Sequence, residues 1–374
     1  MLAAAGTVAV LTTSDGDTRA GAGATRTSGP PSPGGSPSRK PSTTTATVLA
    51  RTPPARVGPP LTGGDVGVST AVFSPRGRVL ATSSGDRSLR LWDVSHPDTP
   101  RLLGQPLTVP IDAASEPAFS PDGRTLVTVS DGTAVRLWDL SDPAAPALLG
   151  QLLAGITGEV YDVAFSPDGR TLATAANDET VRLWNVTDPA HPAPLGQPLT
   201  DRDGDGAIGD VRFSPDGRTL VTAQGLWNVT DPARATPYAA PRDAPSGDSA
   251  AFSPDGRLLV TYSSYPGVIR LWNVTDLASP TPLGQPLFLS GSEFQDAMAM
   301  TPDGSTLAYA DTYAGTLSFW DITDPAHPVT IGQPLVARDA TDSPGSTILA
   351  VSPDGTLLAT VADDLNAIQL WKLR

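Results

Sequence analysis

This chain has seven tryptophans, at Trp92, Trp138, Trp184, Trp227, Trp272, Trp320 and Trp371, and they fix what it can fold into. Successive ones lie 46, 46, 43, 45, 48 and 51 residues apart. Ahead of each stands a tight-turn signature, Ser-Pro-x-Gly or Thr-Pro-Asp-Gly, starting at Ser74, Ser120, Ser166, Ser214, Ser253, Thr301 and Ser352. Self-similarity at a period of 20–50 residues marks an array of stacked units, each unable to bury its apolar face alone. The chain is therefore read as seven copies of one supersecondary unit.

The copy from Gly158 to Thr200 shows the unit most fully. Val160, Val163 and Phe165 form a short apolar run that ends at Ser166-Pro167-Asp168-Gly169, where proline presets φ, aspartate bonds its own backbone and glycine accepts a positive φ. Leu172–Ala175 is a second strand, Asn177-Asp178 a second turn, and Val181-Arg182-Leu183-Trp184 a third strand rich in β-branched and aromatic residues. Thr187-Asp188-Pro189 breaks the chain again. Leu195–Leu199 is a fourth strand, whose Pro198 fits only an outer edge. Four short strands joined locally make one antiparallel sheet, so the fold class is all-β.

These units resemble WD40 repeats. The resemblance is carried by Leu91-Trp92-Asp93, Leu137-Trp138-Asp139 and Phe319-Trp320-Asp321, with Trp-Asn in their place at Trp184, Trp227 and Trp272, and it covers about residues 57–374. The phrase FSPDGRTL…VRLWD followed by LGQPL is most similar to bacterial, actinomycete-type members, and two lysines (Lys40 and Lys372) among 25 basic residues suit a GC-rich genome. The resemblance implies a seven-bladed β-propeller, monomeric, acting as a non-catalytic scaffold for protein partners. The Gly-His dipeptide that usually opens a repeat is absent, and the turn aspartate six residues before the tryptophan survives only as Asp86 and Asp178. The family's His–Ser/Thr–Asp–Trp network therefore cannot form intact, and stability is expected to rest on apolar packing between blades.

The segment Val57-Gly58-Pro59-Pro60-Leu61 repeats the fourth-strand pattern of Leu103–Leu107 and Leu283–Leu287, yet it precedes the first unit, while the chain stops just after the seventh third strand. These residues are expected to supply the missing strand of blade seven, closing the ring and removing a sheet edge. Ahead of them, residues 14–56 read as a disordered Pro/Ser/Thr/Gly-rich linker, unable to bury enough apolar surface to offset ordering. Residues 1–13 form an apolar segment shorter than the roughly 20 residues of a membrane span. It reads either as the stump of a transmembrane helix or as a frayed terminus. The first reading makes a membrane-tethered, extracytoplasmic propeller; the second leaves a cytoplasmic one.

Net charge is −14, and residues 1–56 are basic, so the propeller itself stands near −18. Such a body repels nucleic acid and anionic membrane surfaces. Much of the acid is structural, recurring in the turns as Asp122, Asp168, Asp216, Asp255, Asp303 and Asp354. There is no cysteine, hence no disulfide and no thiol chemistry. Nucleophile-elbow, phosphate-loop and zincin motifs are absent. His96, His191 and His327 sit before prolines in equivalent linkers on different units, and the four glutamates show no pairing logic. Asn185-Val186-Thr187 and its two counterparts match a glycosylation sequon but read as repeated turn chemistry.

Two departures from the repeat mark candidate sites. Asp201-Arg202-Asp203-Gly204-Asp205 places oxygen ligands alternately, as a calcium loop does, although Arg212 stands where that loop needs a bidentate glutamate. Unit four is shortened: Phe213 to Trp227 spans 14 residues where the other units count 19 or 20. Its second hairpin shrinks to a turn near Gln224-Gly225, beside the loop holding Asp203 and Asp205. A lowered tip next to an acidic loop makes a notch, and concave breaks favour ligands. The expectation is a protein-binding platform without a cofactor, in which blade four is either the binding face or a drifted repeat, and Asp201, Asp203 and Asp205 are either a calcium site or a longer polar connection between blades. The alternative is an enzyme or small-ligand sensor that uses the central channel.

Overall fold

A computed structural model of the chain describes residues 54–62, 67–107, 116–149, 155–200, 210–222, 225–238, 249–263, 267–288, 297–311, 316–336, 349–361 and 367–373. Residues 1–13, nearly all of 14–56, and the candidates Asp201, Asp203, Asp205 and Gln224 lie outside them.

Blade 3 shows how the sequence makes the unit. Its strands are Val160–Phe165, Thr171–Ala176, Thr180–Asn185 and Ala193–Thr200, paired antiparallel in chain order. The first turn is closed by side chains. The Ser166 hydroxyl donates to Asp168 Oδ1 at 2.6 Å and accepts from the Thr171 amide at 2.9 Å, while Asp168 Oδ1 also accepts from the Arg170 amide at 3.0 Å. Gly169 takes φ +70°, a region a side chain disfavours. The Ser166 hydroxyl holds the Asp168 carboxyl below its usual range. These aspartates are committed to turns, as their recurrence in the sequence suggested.

Seven such sheets form the propeller within Leu49–Arg374. The first strands, such as Val68–Phe73, Val160–Phe165 and Ser249–Phe252, are innermost and stand beside one another around the central channel. The core is a set of seams. Each of seven buried clusters spans two adjacent blades and contains one of the seven tryptophans, seated against the preceding blade. This is why tryptophan spacing alone counts the blades. Among the described residues the only helical piece is a turn of 3₁₀ helix, Pro232–Arg234, and no helix is long and apolar enough to cross a membrane.

The ring closes as expected, with pairing that begins two residues before Val57. Strand Ala55–Thr62 runs antiparallel to Ala367–Lys372 as the outer strand of blade 7. Leu61 is buried in the seam between blades 7 and 1, and the Arg56 guanidinium lies 5.1 Å from the Trp371 ring centroid. Gly58 has the environment of a true outer strand. A Cβ on it would fall 2.1 Å from the Pro97 carbonyl oxygen, as one on Gly104 would fall 2.0 Å from that of Ala144. At that approach only glycine fits.

The expectation that stability rests on apolar packing needs a correction. In blades 1, 2, 3, 5 and 7 the buried tryptophan donates its indole N–H to a threonine on the second strand: Thr82, Thr128, Thr174, Thr261 and Thr360, at 2.8–3.1 Å. Half of the familiar network thus persists without its histidine. The exchange of Trp-Asp for Trp-Asn is neutral for a similar reason. Asp93 Oδ1 accepts from the Ser95 amide at 3.0 Å, and Asn185 Oδ1 accepts from the Thr187 amide at 3.0 Å. The sequon asparagines are turn-formers here.

Candidate functional site

The inner strands carry side chains alternately toward and away from the channel. Three residues before the aromatic end of this strand stand Glu116, Asp162 and Asp210 in blades 2, 3 and 4 (Phe119, Phe165, Phe213), against Thr70 and Ser249 in blades 1 and 5 (Phe73, Phe252). One residue before that aromatic, blade 4 has Arg212 where blades 2, 3 and 5 have Ala118, Ala164 and Ala251. Three acids from successive blades and one arginine therefore share a column.

The structure brings them together. Arg212 Nη1 donates to Asp162 Oδ2 in a short charge-assisted hydrogen bond, and its Nη2 lies 3.5 Å from both Glu116 Oε2 and Asp210 Oδ2. Asp162 Oδ2 also accepts from the Val211 amide at 2.8 Å. Blades 2 and 4 both flank blade 3, so the contact between Glu116 and Arg212 passes in front of the inner strand of blade 3. These residues lie near the start of the inner strands. That is the end of the ring where the second hairpins and the outer-to-inner connections emerge, opposite the Ser-Pro-Asp-Gly turns.

Electrostatically the cluster holds three acids to one cation. Burial pushes the Glu116 carboxyl up to about 7, with Arg212 opposing and Asp162 and Asp210 adding to the rise. The side chain of Glu116 is 44 % exposed, but it opens onto the channel, inside the ring. Burial likewise lifts Asp162 to about 6 against the pull of Arg212, its closest partner. Burial disfavours the Arg212 charge, and the attraction of Asp162, Asp210 and Glu116 outweighs it, so Arg212 stays firmly protonated. At neutral pH Asp162 and Arg212 form the ion pair, and burial keeps Glu116 more protonated than an ordinary glutamate. Next to Asp162, Tyr161 occupies a register shift in the inner strand and is exposed.

The residues singled out from the sequence fall elsewhere. Asp201, Asp203 and Asp205 belong to the connection that leads into Asp210, outside the described residues, as does Gln224. The shortened hairpin of blade 4 is present: Thr219–Thr222 pairs with Gly225–Asn228, Thr222 opposite Gly225. Gly225 is a buried strand residue with φ +125°, so it belongs to the third strand and not to the turn. His191 and His327 pair with Asp188 and Asp324 at 2.9 and 3.0 Å in exposed linkers of separate blades. Among the described residues no group of three or more His, Asp or Glu has the spacing of a metal site. The glutamates were read as scattered, and for Glu116 that is corrected. The missed signal was the shared column, visible only when repeats are aligned on the inner-strand aromatic.

Chemically, the cluster ties three blades together and leaves excess acid facing the channel. Four stretches, residues 59–93, 111–139, 150–185 and 248–273, match the family model described as WD domain, G-beta repeat. They fall on blades 1, 2, 3 and 5, four of the five that keep the threonine–tryptophan bond. The first begins within the strand that closes blade 7. No curated protein matches the chain.

Proposed function

We propose that this chain is a WD-repeat propeller that serves as a non-catalytic platform for protein–protein interaction, with its partner docking at the channel mouth of blades 2, 3 and 4. The observation that carries the reading is the convergence of Glu116, Asp162 and Asp210 around Arg212. Arg212 is engaged by all three carboxylates, so the mouth presents net negative charge and no free cation of the cluster. Tyr161 supplies an exposed aromatic next to that acid, a residue type enriched where proteins bind. The partner surface that fits is basic. Rim charges chiefly set the association rate and its salt dependence. In its finer form the reading is of a bacterial, membrane-tethered signalling module, on the strength of the apolar residues 1–13 and the proline-rich stretch that follows; the reading frame upstream tests that part.

The test is a panel of lysine- and arginine-rich peptides against matched acidic ones, measured by fluorescence anisotropy with the full chain. Basic peptides bind, affinity falls with added salt, and the double variant Glu116→Gln, Asp210→Asn weakens binding about tenfold, the effect of roughly 1.4 kcal/mol. No saturable binding of any basic peptide, or equal binding by the variant, sinks the reading. A second reading draws on the Glu116 carboxyl, which at about 7 has the pKa of a proton donor at neutral pH. It makes the channel a small-ligand or catalytic site. Binding of small cationic molecules in preference to peptides would favour it.

A further inference from the structure

The second hairpins of blades 1, 2 and 3 have the same length, with Thr82, Thr128 and Thr174 each ten residues before the tryptophan and Arg90, Arg136 and Arg182 each two before it. In blade 1 the arginine is answered from within the hairpin: Arg90 Nη2 lies 2.8 Å from Asp86 Oδ2, and Nη1 donates to the Ser88 hydroxyl at 2.5 Å and meets the Ser84 hydroxyl at 3.4 Å. In blade 3 Arg182 Nη2 lies 3.6 Å from Asp178 Oδ2. Blade 2 keeps the arginine and loses its partners, with Gly132 at the aspartate position and Ala134 at that of Ser88. The consequence is visible in the structure. Arg136 Nη1 and the Ser130 hydroxyl, at the position of Ser84, are both sealed from solvent with no hydrogen-bond partner. Arg182 also has one unpartnered nitrogen, Nε, but its guanidinium already faces a carboxylate.

We propose that the second hairpin of blade 2 is a carboxylate-binding site, in which Arg136 and Ser130 take from a ligand the carboxylate that blades 1 and 3 supply from Asp86 and Asp178. A guanidinium nitrogen sealed from water without a partner is costly, and a carboxylate matches the geometry of the group. The piece missing at Gly132, a methylene bearing a carboxylate, is acetate in size and charge. Glu159 of blade 3 borders the gap: a Cβ on Gly132 would stand 3.3 Å from its Cγ. It sets an upper limit on ligand bulk without itself pairing with Arg136. The carboxylate comes either from a small free acid or from an acidic side chain of a protein partner. The hairpin tip, with Asp131 and Thr133 exposed, rises at the same end of the ring as the Arg212 cluster and is open to either source.

The probe is acetate. Thermal unfolding of the full chain is followed at pH 7 while sodium acetate replaces sodium chloride at constant ionic strength. A saturable rise of about 2–4 °C is expected, as ligand binding to the folded state requires. Arg136→Met abolishes it. Should that variant fail to fold, Arg136→Gln is the second arm, because it keeps a polar side chain of similar reach and loses the charge that holds a carboxylate. A capped aspartyl peptide titrated in parallel separates the sources: saturation at lower concentration than acetate identifies a protein side chain, and saturation by acetate alone a small acid. No rise beyond chloride, or an equal rise in Arg136→Met or in Arg136→Gln, overturns the proposal.

Discussion

Blades 3 and 4 are neighbours built on one template, and they have kept different parts of it. Blade 3 has strands of 6, 6, 6 and 8 residues, whereas those of blade 4 have 2, 4, 4 and 2. Blade 3 bonds Trp184 to Thr174, and Asp178 accepts hydrogen bonds from Thr157 and Thr180. In blade 4 Thr222 stands at the register of Thr174, two residues beyond the leucine that pairs with the tryptophan, but its hydroxyl donates to the Gly225 carbonyl at 3.3 Å. Yet the seam between the two is fully formed, with Val211 and Leu220 at 0 % exposure and Trp227 buried beside Val229. What blade 4 lacks inside its own sheet it makes across the seam, where Arg212 and the Val211 amide engage Asp162 of blade 3. In a repeat array, stability is a sum of intrinsic and interface contributions. Here the interface has taken over from the interior.

The largest expected effect tests that exchange. Asp162→Ala removes the short bond to Arg212 and the acceptor for the Val211 amide, leaving the guanidinium with two carboxylates at 3.5 Å. Breaking a buried charge pair from one side costs about 3–5 kcal/mol. The low end applies, because Arg212 is 32 % exposed. Calorimetry checks it, and a loss under about 0.5 kcal/mol, the level of an ordinary surface change, would show that blade 4 does not depend on the clamp.

Next in size is the intact half of the comparison. Thr174→Val keeps the shape of the side chain and strips the acceptor from the Trp184 indole, whose ring is 2 % exposed. An orphaned buried donor costs about 1–3 kcal/mol. No loss on calorimetry would mean that the hydrogen bond is incidental and that the seams alone hold the blade.

The blade count and the closing strand were legible in the sequence because both rest on local signals. A turn signature, a tryptophan and an LGQPL-like run each sit within one unit. The channel cluster was not legible by the same reading. Glu116, Asp162 and Asp210 lie 46 and 48 residues apart, and no local window joins them. Their shared place, three residues before the inner-strand aromatic, appears only when the copies are laid over one another, and Arg212 stands out only as the exception among alanines. The threonine–tryptophan bonds were missed for a different reason. The network was judged by its absent histidine, whereas the threonine ten or eleven residues ahead of the tryptophan recurs in five blades. Gly225 shows the limit of turn reading: a glycine after a strand suggests a turn, but this one pairs with Thr222 as a strand residue.

A graft sharpens the comparison from the other side. Lengthening the blade 4 hairpin by five residues, with the segment between Thr174 and Trp184 set between Thr222 and Trp227, puts Thr222 ten residues before its tryptophan. If the hairpin is an independent module, Trp227 gains the bond Trp184 has, and stability rises by about 0.5–1.5 kcal/mol. An unchanged or lowered melting temperature would show that the seam of blade 4 has adapted to the short form.

The smallest effect concerns the proton on Glu116. Its carboxyl is raised in the fold to about 7 from an ordinary 4.5, so between those values the folded chain binds more proton than the unfolded one. Stability must then fall as pH rises through that window, and the favourable contribution is fully present only below it. Glu116→Gln carries a permanently neutral amide of the same size, so it should match the wild type at pH 4 and exceed it at pH 8. The side chain is 44 % exposed, and water screening discounts the gain to about 1 kcal/mol or less. Melting curves of both proteins from pH 4 to pH 8 read it directly. If the wild type instead gains stability over Glu116→Gln as pH rises, Glu116 is an ionised partner of Arg212 and not a protonated bystander. The clamp between blades 3 and 4 would then extend as a charged triad to blade 2, and the excess acid at the channel mouth would be borne by Asp210 alone.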